Sequence, residues 1–137
     1  MYKNNSEPFL IERIVAAFSY ITMGFVGFIW LILGLFTKAR LRPFMQYHIF
    51  QSIFLSIGFV LLYYIVGFIS NILSIIPFIN KLVAQIIFLL NMPLIFDYSL
   101  IQTVVYVFMF YLAITAFMGK YSYVPYVSEI IDENIRR

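Results

Sequence analysis

Long apolar runs without a charged side chain dominate the pattern of this chain. Residues 14–37, 49–80 and 98–119 contain no Asp, Glu, Lys or Arg. A helix needs about 20 apolar residues to cross the hydrocarbon core of a bilayer, because each residue adds about 1.5 Å to its length. The pattern therefore predicts an all-α, polytopic membrane protein. Its four transmembrane helices are expected over residues 13–36, 43–70, 78–96 and 98–118.

The third of these helices has the weakest pattern, because Asn91 and Pro93 interrupt it. Residues 82–96 give only 15 charge-free positions, and the helix reaches 19 residues if it starts at Phe78 with Lys81 extending to the interface. We predict a short or kinked third helix. Residues 71–80 are predicted to form a re-entrant or interfacial connector, since one helix through them would exceed even a tilted span.

Polar segments flank the apolar region at both ends. Residues 1–12 form a polar N-terminal arm, in which Ser6 and Pro8 indicate a helix start. Residues 119–137 form a C-terminal tail that begins with a glycine stop, and Ser128 is the predicted cap of a short helix within it. We expect this tail to lie on the membrane surface.

The glycines of the first predicted helix lie on one narrow stripe. Gly24, Gly27 and Gly34 fall together at helical spacing. Small residues on one side of a helix let a second helix approach closely, which is a main source of packing energy in lipid. We predict that this stripe is a helix contact rather than the lining of a pore.

One side of the second predicted helix carries a cluster of polar residues, including the only histidine of the chain. Polar groups in hydrocarbon are costly unless they are satisfied, so this side should face other helices or a wet cavity. The fourth helix adds two polar residues one turn apart. The residues predicted to contact a pathway or a partner are Arg42, His48, Gln51, Ser52, Ser56, Gln102 and Tyr106.

A basic turn precedes the second helix. Lys38, Arg40 and Arg42 are followed by Pro43, whose fixed φ and missing N–H suit the start of a helix. We predict that Lys38 and Arg40 contact headgroup phosphates or an anionic partner.

Composition removes several classes of function. The chain is 64% hydrophobic and 11% charged, and its net charge of +3 sits on short extramembrane segments, where lysine and arginine fix topology rather than bind nucleic acid. There is no cysteine and one histidine, and motifs for metalloproteases, nucleotide binding or serine hydrolases are missing. We predict no catalytic, cofactor or metal site, and a protein that is not an enzyme. A single histidine such as His48 more often hydrogen-bonds a neighbouring residue or a lipid headgroup than it binds a metal ion or shuttles protons.

Orientation follows from the number of spans. Four spans place both termini and the 71–80 connector on one side, with six basic residues against the three of the basic turn. The count predicts cytoplasmic or stromal termini, whereas the density of the basic turn favours the reverse. The six are Lys3, Arg13, Lys81, Lys120, Arg136 and Arg137.

The start of the second helix and the tail resemble the Tic-twenty family, the multi-spanning subunit of the chloroplast inner-envelope protein translocon and its bacterial relatives. The residues that carry the resemblance are Arg42, Phe44, His48, Gln51, Gly119, Lys120, Tyr121, Val124, Pro125, Ser128 and Glu129. The resemblance extends from the first helix to about Glu129. It implies a four-helix subunit that helps form a protein-conducting path with other membrane subunits, in contact with lipid and a translocating polypeptide.

The same resemblance sets the expected location. Because the N-terminus is too short and too acidic for a transit peptide, it implies a plastid-encoded protein of the inner envelope or a protein of the bacterial inner membrane. Two other functions stay open. One is a structural or assembly protein whose polar cluster only joins helices, and the other is a small-solute or ion transporter, for which internal repeats and embedded charges are missing.

Overall fold

The computed structural model describes residues 7–135, and this part of the chain is all-α with one small β-hairpin. Its elements are α1 Leu10–Ile21, α2 Phe25–Thr37, α3 Pro43–Leu73, α4 Ile79–Asn91, β1 Pro93–Ile95, β2 Tyr98–Ser99, α5 Leu100–Phe117 and α6 Val127–Ile135. The predicted helix start at Ser6 lies outside the described residues, and α1 begins two residues after Pro8.

Two helices, α1 and α2, replace the single first helix predicted over residues 13–36. The Thr22 hydroxyl donates to the Phe18 carbonyl at 2.7 Å and accepts from the Val26 N–H at 3.1 Å, so it bonds the last turn of α1 to the first turn of α2. Met23 and Gly24 have φ of 55° and 86°, and this left-handed pair reverses the chain. The apolar pattern runs through the break, which is why periodicity alone predicts one helix.

The α1–α2 hairpin packs on the first half of α3. Glu12 contacts Arg42 and Ser19 contacts Ser52, so α1 runs in the same direction as α3. The turn at Gly24 lies against Ile53, whereas Gly34, near the other end of α2, lies against Leu41, so α2 runs antiparallel to α3. The apolar core between them consists of Val15, Met45 and Ile49, with Val26, Trp30, Leu31, Leu41 and Ile53 packed against it.

The long helix α3 begins at Pro43 and passes through two compact units. The first unit comprises Met1–Ser56 and Met109–Arg137, as far as these ranges are described, and the second comprises Ile57–Phe108. Among the described residues, Val83 is the only buried side chain in the second unit. The core of the protein therefore lies in the first unit.

The third predicted helix, over residues 78–96, is shorter in the structure. Helix α4 ends at Asn91, and Met92 is extended, as a residue before proline prefers. Strands β1 and β2 then pair antiparallel around Phe96 and Asp97, whose φ values of 46° and 67° fit a tight hairpin turn. At about 1.5 Å per residue, α4 is about 20 Å long.

Helix α5 has defined ends. The Ser99 hydroxyl accepts from the Gln102 main-chain N–H at 3.3 Å, and the side-chain amide oxygen of Gln102 accepts from the Ser99 N–H at 3.1 Å, which is a capping box. At the other end Gly119 has φ 75°, and the N–H groups of Gly119 and Lys120 donate back to Ala116 and Thr115.

Among the described residues, α3 and α5 are the helices long and apolar enough to cross a membrane. Only 11% of the most apolar window of α3, and 22% of that of α5, is buried within the chain. A core helix of a soluble protein would be buried on most of its surface, so this burial is not that of a core helix.

Candidate functional site: a buried polar network

Helices α1 and α3 and the tail bring together six polar side chains that we call the polar network. They are Tyr20, Tyr47, His48, Gln51, Ser122 and Ser128. All six are buried, and His48, Gln51 and Ser128 have no exposed surface. The network thus unites His48 and Gln51 of the predicted polar side with Ser128, the predicted helix cap, and with Tyr20, Tyr47 and Ser122.

Tyr20 is the link between α1 and α3. Its hydroxyl lies 2.8 Å from Nδ1 of His48 and 2.5 Å from Oε1 of Gln51. A phenol has one proton, and the Gln51 oxygen can only accept, so the Tyr20 hydroxyl donates to Gln51 and accepts from the Nδ1–H of His48.

Aromatic rings enclose His48. Its ring centroid lies 4.5 Å from that of Phe44 and 5.3 Å from that of Tyr47, and Tyr121 stacks on it at 5.8 Å with an interplanar angle of 19°. The main chain of Lys120 lies beside the ring. Nε2 nevertheless makes no hydrogen bond of normal distance and angle to any described residue. His48 is therefore a packed group, closed off from solvent.

The tail is attached to α3 through Tyr47 and Gln51. The Tyr47 hydroxyl lies 2.7 Å from the carbonyl oxygen of Ser122 and 2.7 Å from Oγ of Ser128. The Gln51 amide donates to the same two oxygens, at 3.0 and 3.2 Å. Ser128 also accepts from the Val124 N–H at 2.8 Å, so its hydroxyl joins both ends of one tail loop to α3. It lies inside α6 rather than capping it.

Tyr121 completes this attachment. It packs edge-on against Phe44 and Tyr47 at centroid distances of 5.5 and 5.0 Å, in addition to its stack on His48. Partial burial raises the pKa of Tyr121 from its ordinary value, although 58% of the residue is exposed. The tail covers the start of α3 with uncharged aromatic surface.

A second polar contact joins the last turn of α1 to the first third of α3. Oγ of Ser19 lies 2.5 Å from Oγ of Ser52, and the Ser52 hydroxyl donates to the Ile49 carbonyl at 2.8 Å, so Ser19 is the donor between them. Ser56, which is half-buried, donates to the Ser52 carbonyl at 2.8 Å. The two serines of the predicted polar side thus bond α1 or their own helix.

Arg42 forms an ion pair at the start of α3. Its guanidinium lies 2.9 Å from a carboxylate oxygen of Glu12, which is only 6% exposed, and 4.7 Å from the ring centroid of Phe9. The same carboxylate oxygen accepts from the Phe9 N–H at 2.8 Å. Lys38 and Arg40 are exposed on the turn before α3. Arg42 therefore belongs to the packing of α1, whereas Lys38 and Arg40 are on the surface.

The other predicted contact residues lie in the second unit. The side chain of Gln102 caps α5, and Tyr106 is exposed and packs edge-on against Tyr98 at 5.2 Å. Neither belongs to the polar network. Gln102 and Tyr106 are therefore surface residues of their own unit.

The three glycines differ in their surroundings. A Cβ on Gly27 would collide with Oγ of Ser19, and a Cβ on Gly24 would come within 3.2 Å of Ile53. A Cβ on Gly34 would make ordinary contact with Leu41 at 3.7 Å. Close helix approach thus depends on Gly27, and the chain reversal on Gly24.

Ser19, Tyr20 and Glu12 have a sequence signal of their own. Ser19 and Tyr20 are adjacent polar residues in an apolar run, and Glu12 is an acid beside that run. Such residues need partners in a membrane protein, as the polar side of the second helix does. Their partners lie some 30 residues away, so no local pattern pairs them.

The chemistry available to the network is hydrogen bonding between helices. Among the described residues, no group of three or more His, Asp or Glu is placed to hold a metal ion. Comparison with known proteins finds no matching family model, no matching curated protein and no matching solved structure.

Proposed function

We propose that the chain is a multi-pass integral membrane protein that works as a subunit of a larger membrane assembly. The observation that carries this proposal is the exposure of α3 beyond the first unit. No residue from 57 to 72 is buried, although nearly all are apolar, and Tyr63 is 70% exposed. Such a surface is costly in water at about 25 cal/mol per Å² of apolar area. Lipid and partner helices both remove that cost.

The specific assembly that we propose is a protein translocon of the Tic-twenty type. The support is the resemblance at the start of α3 and in the tail. The location that we propose is the plastid inner envelope, for a plastid-encoded protein, or a bacterial inner membrane. In this proposal Arg42, His48, Gln51 and Ser52 hold the fold, since each makes at least one side-chain hydrogen bond within the chain. Contacts to partner subunits or to a translocating polypeptide fall to exposed residues, among them Gln102 and Tyr106.

A structural or assembly role is the second candidate. The observation in its favour is that the polar network uses its hydrogen bonds inside the chain, where they fix α1, α3 and the tail. A protein of this kind would bind partner subunits in the same way without contacting a polypeptide in transit. The two candidates therefore share partners and differ in one contact.

The number of spans belongs to the same proposal. In the proposal, α3 and α5 cross the membrane. The four-span arrangement requires the α1–α2 hairpin and α4 to cross as well. At about 1.5 Å per residue α1, α2 and α4 are each about 18 to 20 Å long, against about 30 Å of hydrocarbon. Termini on the cytoplasmic or stromal side are part of the proposal.

Site-specific photocrosslinking tests the proposal. A photoreactive residue replaces Tyr106, and a matched one replaces its neighbour Val107, which is also exposed but apolar. After purification in mild detergent has identified the partners, a precursor is arrested in transit. Translocation predicts polypeptide adducts from position 106 and lipid adducts from 107. Partner adducts that do not depend on the precursor favour the assembly role, and lipid alone from both positions contradicts both.

A further inference from the structure

We infer that the α1–α2 hairpin enters and leaves the membrane on the same side and lies within one leaflet. The basic turn that carries Lys38 and Arg40 is then on the same side as the tail. This inference requires that the chain is an integral membrane protein, as proposed above, but it does not depend on translocation. It differs from the four-span arrangement, which places the basic turn and the tail on opposite sides.

Both ends of the hairpin lie close to the start of α3 and to the tail within the first unit. Near the start of α1, Glu12 contacts Arg42 at 2.9 Å, so this helix starts beside the start of α3. Helix α2 returns to the same place, because Gly34 lies against Leu41. The tail is there too: Gly119 packs on the Arg13 side chain, and Tyr121 packs on Phe44 and stacks on His48. The described start of the chain, the basic turn and the tail thus share one end.

The length of the hairpin along α3 sets how deep it can reach into the membrane. Its turn at Gly24 lies beside Ile53, and its ends lie beside Arg42. The eleven residue steps from Arg42 to Ile53 correspond to about 16 Å along α3, at about 1.5 Å per step. One leaflet of the hydrocarbon core is about 15 Å thick, half of about 30 Å. The hairpin therefore has the depth of one leaflet.

The outer surface of the hairpin is apolar. Phe18 on α1 and Phe28, Leu33 and Leu35 on α2 are exposed, and Leu35 is 80% exposed. No charged residue occurs from position 14 to 37. Backbone groups inside the hairpin are bonded within its two helices, and Thr22 satisfies groups at the turn. An apolar surface with a satisfied backbone suits lipid chains.

The basic residues of the first unit also favour the arrangement in one leaflet. With the hairpin in one leaflet, Lys38, Arg40 and Arg42 join Arg13 and Lys120 on a single side. Apart from Lys81 and Asp97, every charged residue that the structure describes belongs to the first unit. The conflict between the count and the density of basic residues then disappears, because both indicate the same cytoplasmic or stromal side. Anionic headgroups of that leaflet are the matching partner of the exposed basic turn.

Labelling of single cysteines tests the arrangement, since the chain has none of its own. Ala39→Cys reports on the basic turn without changing its charge, Asn134→Cys reports on the tail, and both positions are exposed. Asp97→Cys is the control for the opposite side in both arrangements. A membrane-impermeant maleimide is added to sealed vesicles of known orientation, and labelling is compared with that after solubilisation.

The expected result is labelling of Ala39→Cys and Asn134→Cys from one side and of Asp97→Cys from the other. Ala39→Cys labelled from the side of Asp97→Cys overturns the inference and leaves the translocation proposal intact. Arg40→Cys repeats the test if Ala39→Cys does not accumulate. Independently, Trp30 is the only tryptophan and lies on α2, so its fluorescence should be strongly quenched in bilayers of brominated lipid. Unquenched fluorescence places the hairpin outside the hydrocarbon and also overturns the inference.

Discussion

Removal of one hydroxyl from the polar network, by Tyr20→Phe, is the sharpest test of what the network does. The hydroxyl lies 2.8 Å from Nδ1 of His48 and 2.5 Å from Oε1 of Gln51, and all three residues are buried. Phenylalanine preserves the ring and its packing. The change therefore removes two hydrogen bonds and leaves a buried donor and a buried acceptor behind.

The expected size follows from those two groups. A buried polar group left without its partner costs about 1–3 kcal/mol. Nδ1 of His48 loses the partner described above, whereas the Gln51 oxygen keeps a long contact of 3.5 Å with Oγ of Ser122. We expect Tyr20→Phe to lower the free energy of unfolding by about 2–4 kcal/mol.

Equilibrium unfolding of the purified protein in mixed detergent and dodecyl sulfate micelles measures this change, with the fluorescence of Trp30 as the signal. The matched control is Tyr63→Phe, because Tyr63 is on the exposed part of α3. In a double-mutant cycle with Gln51→Leu, the two losses should be less than additive, since they remove the same bond. A loss for Tyr20→Phe no larger than that for Tyr63→Phe refutes the reasoning, because the hydroxyl would then contribute nothing.

Three further variants test the other contacts. Arg42→Gln should lower the free energy of unfolding by about 1–3 kcal/mol, because it leaves a buried carboxylate without its cation; Arg40→Gln, on the exposed turn, is the control, and equal effects contradict the ion pair. Gly27→Ala should destabilise by about 1–3 kcal/mol through its collision with α1, whereas Gly67→Ala, which meets nothing within 4 Å, should be neutral or stabilising; tolerance of both disproves the close approach. Ser128→Ala should speed amide hydrogen exchange in the tail, and unchanged protection there shows that the tail is held without this hydroxyl.

The break between α1 and α2 shows where sequence reasoning stops. Apolar residues continue through Thr22, Met23 and Gly24, so periodicity predicts a helix there. What ends the helix is a left-handed pair of residues, which is stable because the turn packs on Ile53, 29 residues after Gly24 in the chain. A local pattern carries no information about that contact.

The polar side of the second predicted helix shows the same limit. Helical spacing places His48, Gln51 and Ser52 on one side, and all three are buried. Spacing does not say what they face, and the prediction left a wet path and a helix contact open. That side is occupied by Tyr20 and Ser19 of α1 and by the tail. The predicted contact residues that stay exposed are Gln102 and Tyr106.

Composition and the neighbours within one helix are enough to specify the helical class of the protein, the apolar character of α3 and α5 and the lack of cysteine chemistry. The start of α3 at Pro43 belongs with them, since proline acts on its own backbone. Tertiary packing is needed to establish the chain reversal at Gly24, the ion pair of Glu12 with Arg42 and the attachment of the tail. Each depends on groups far apart in the chain, whose meeting is fixed by packing.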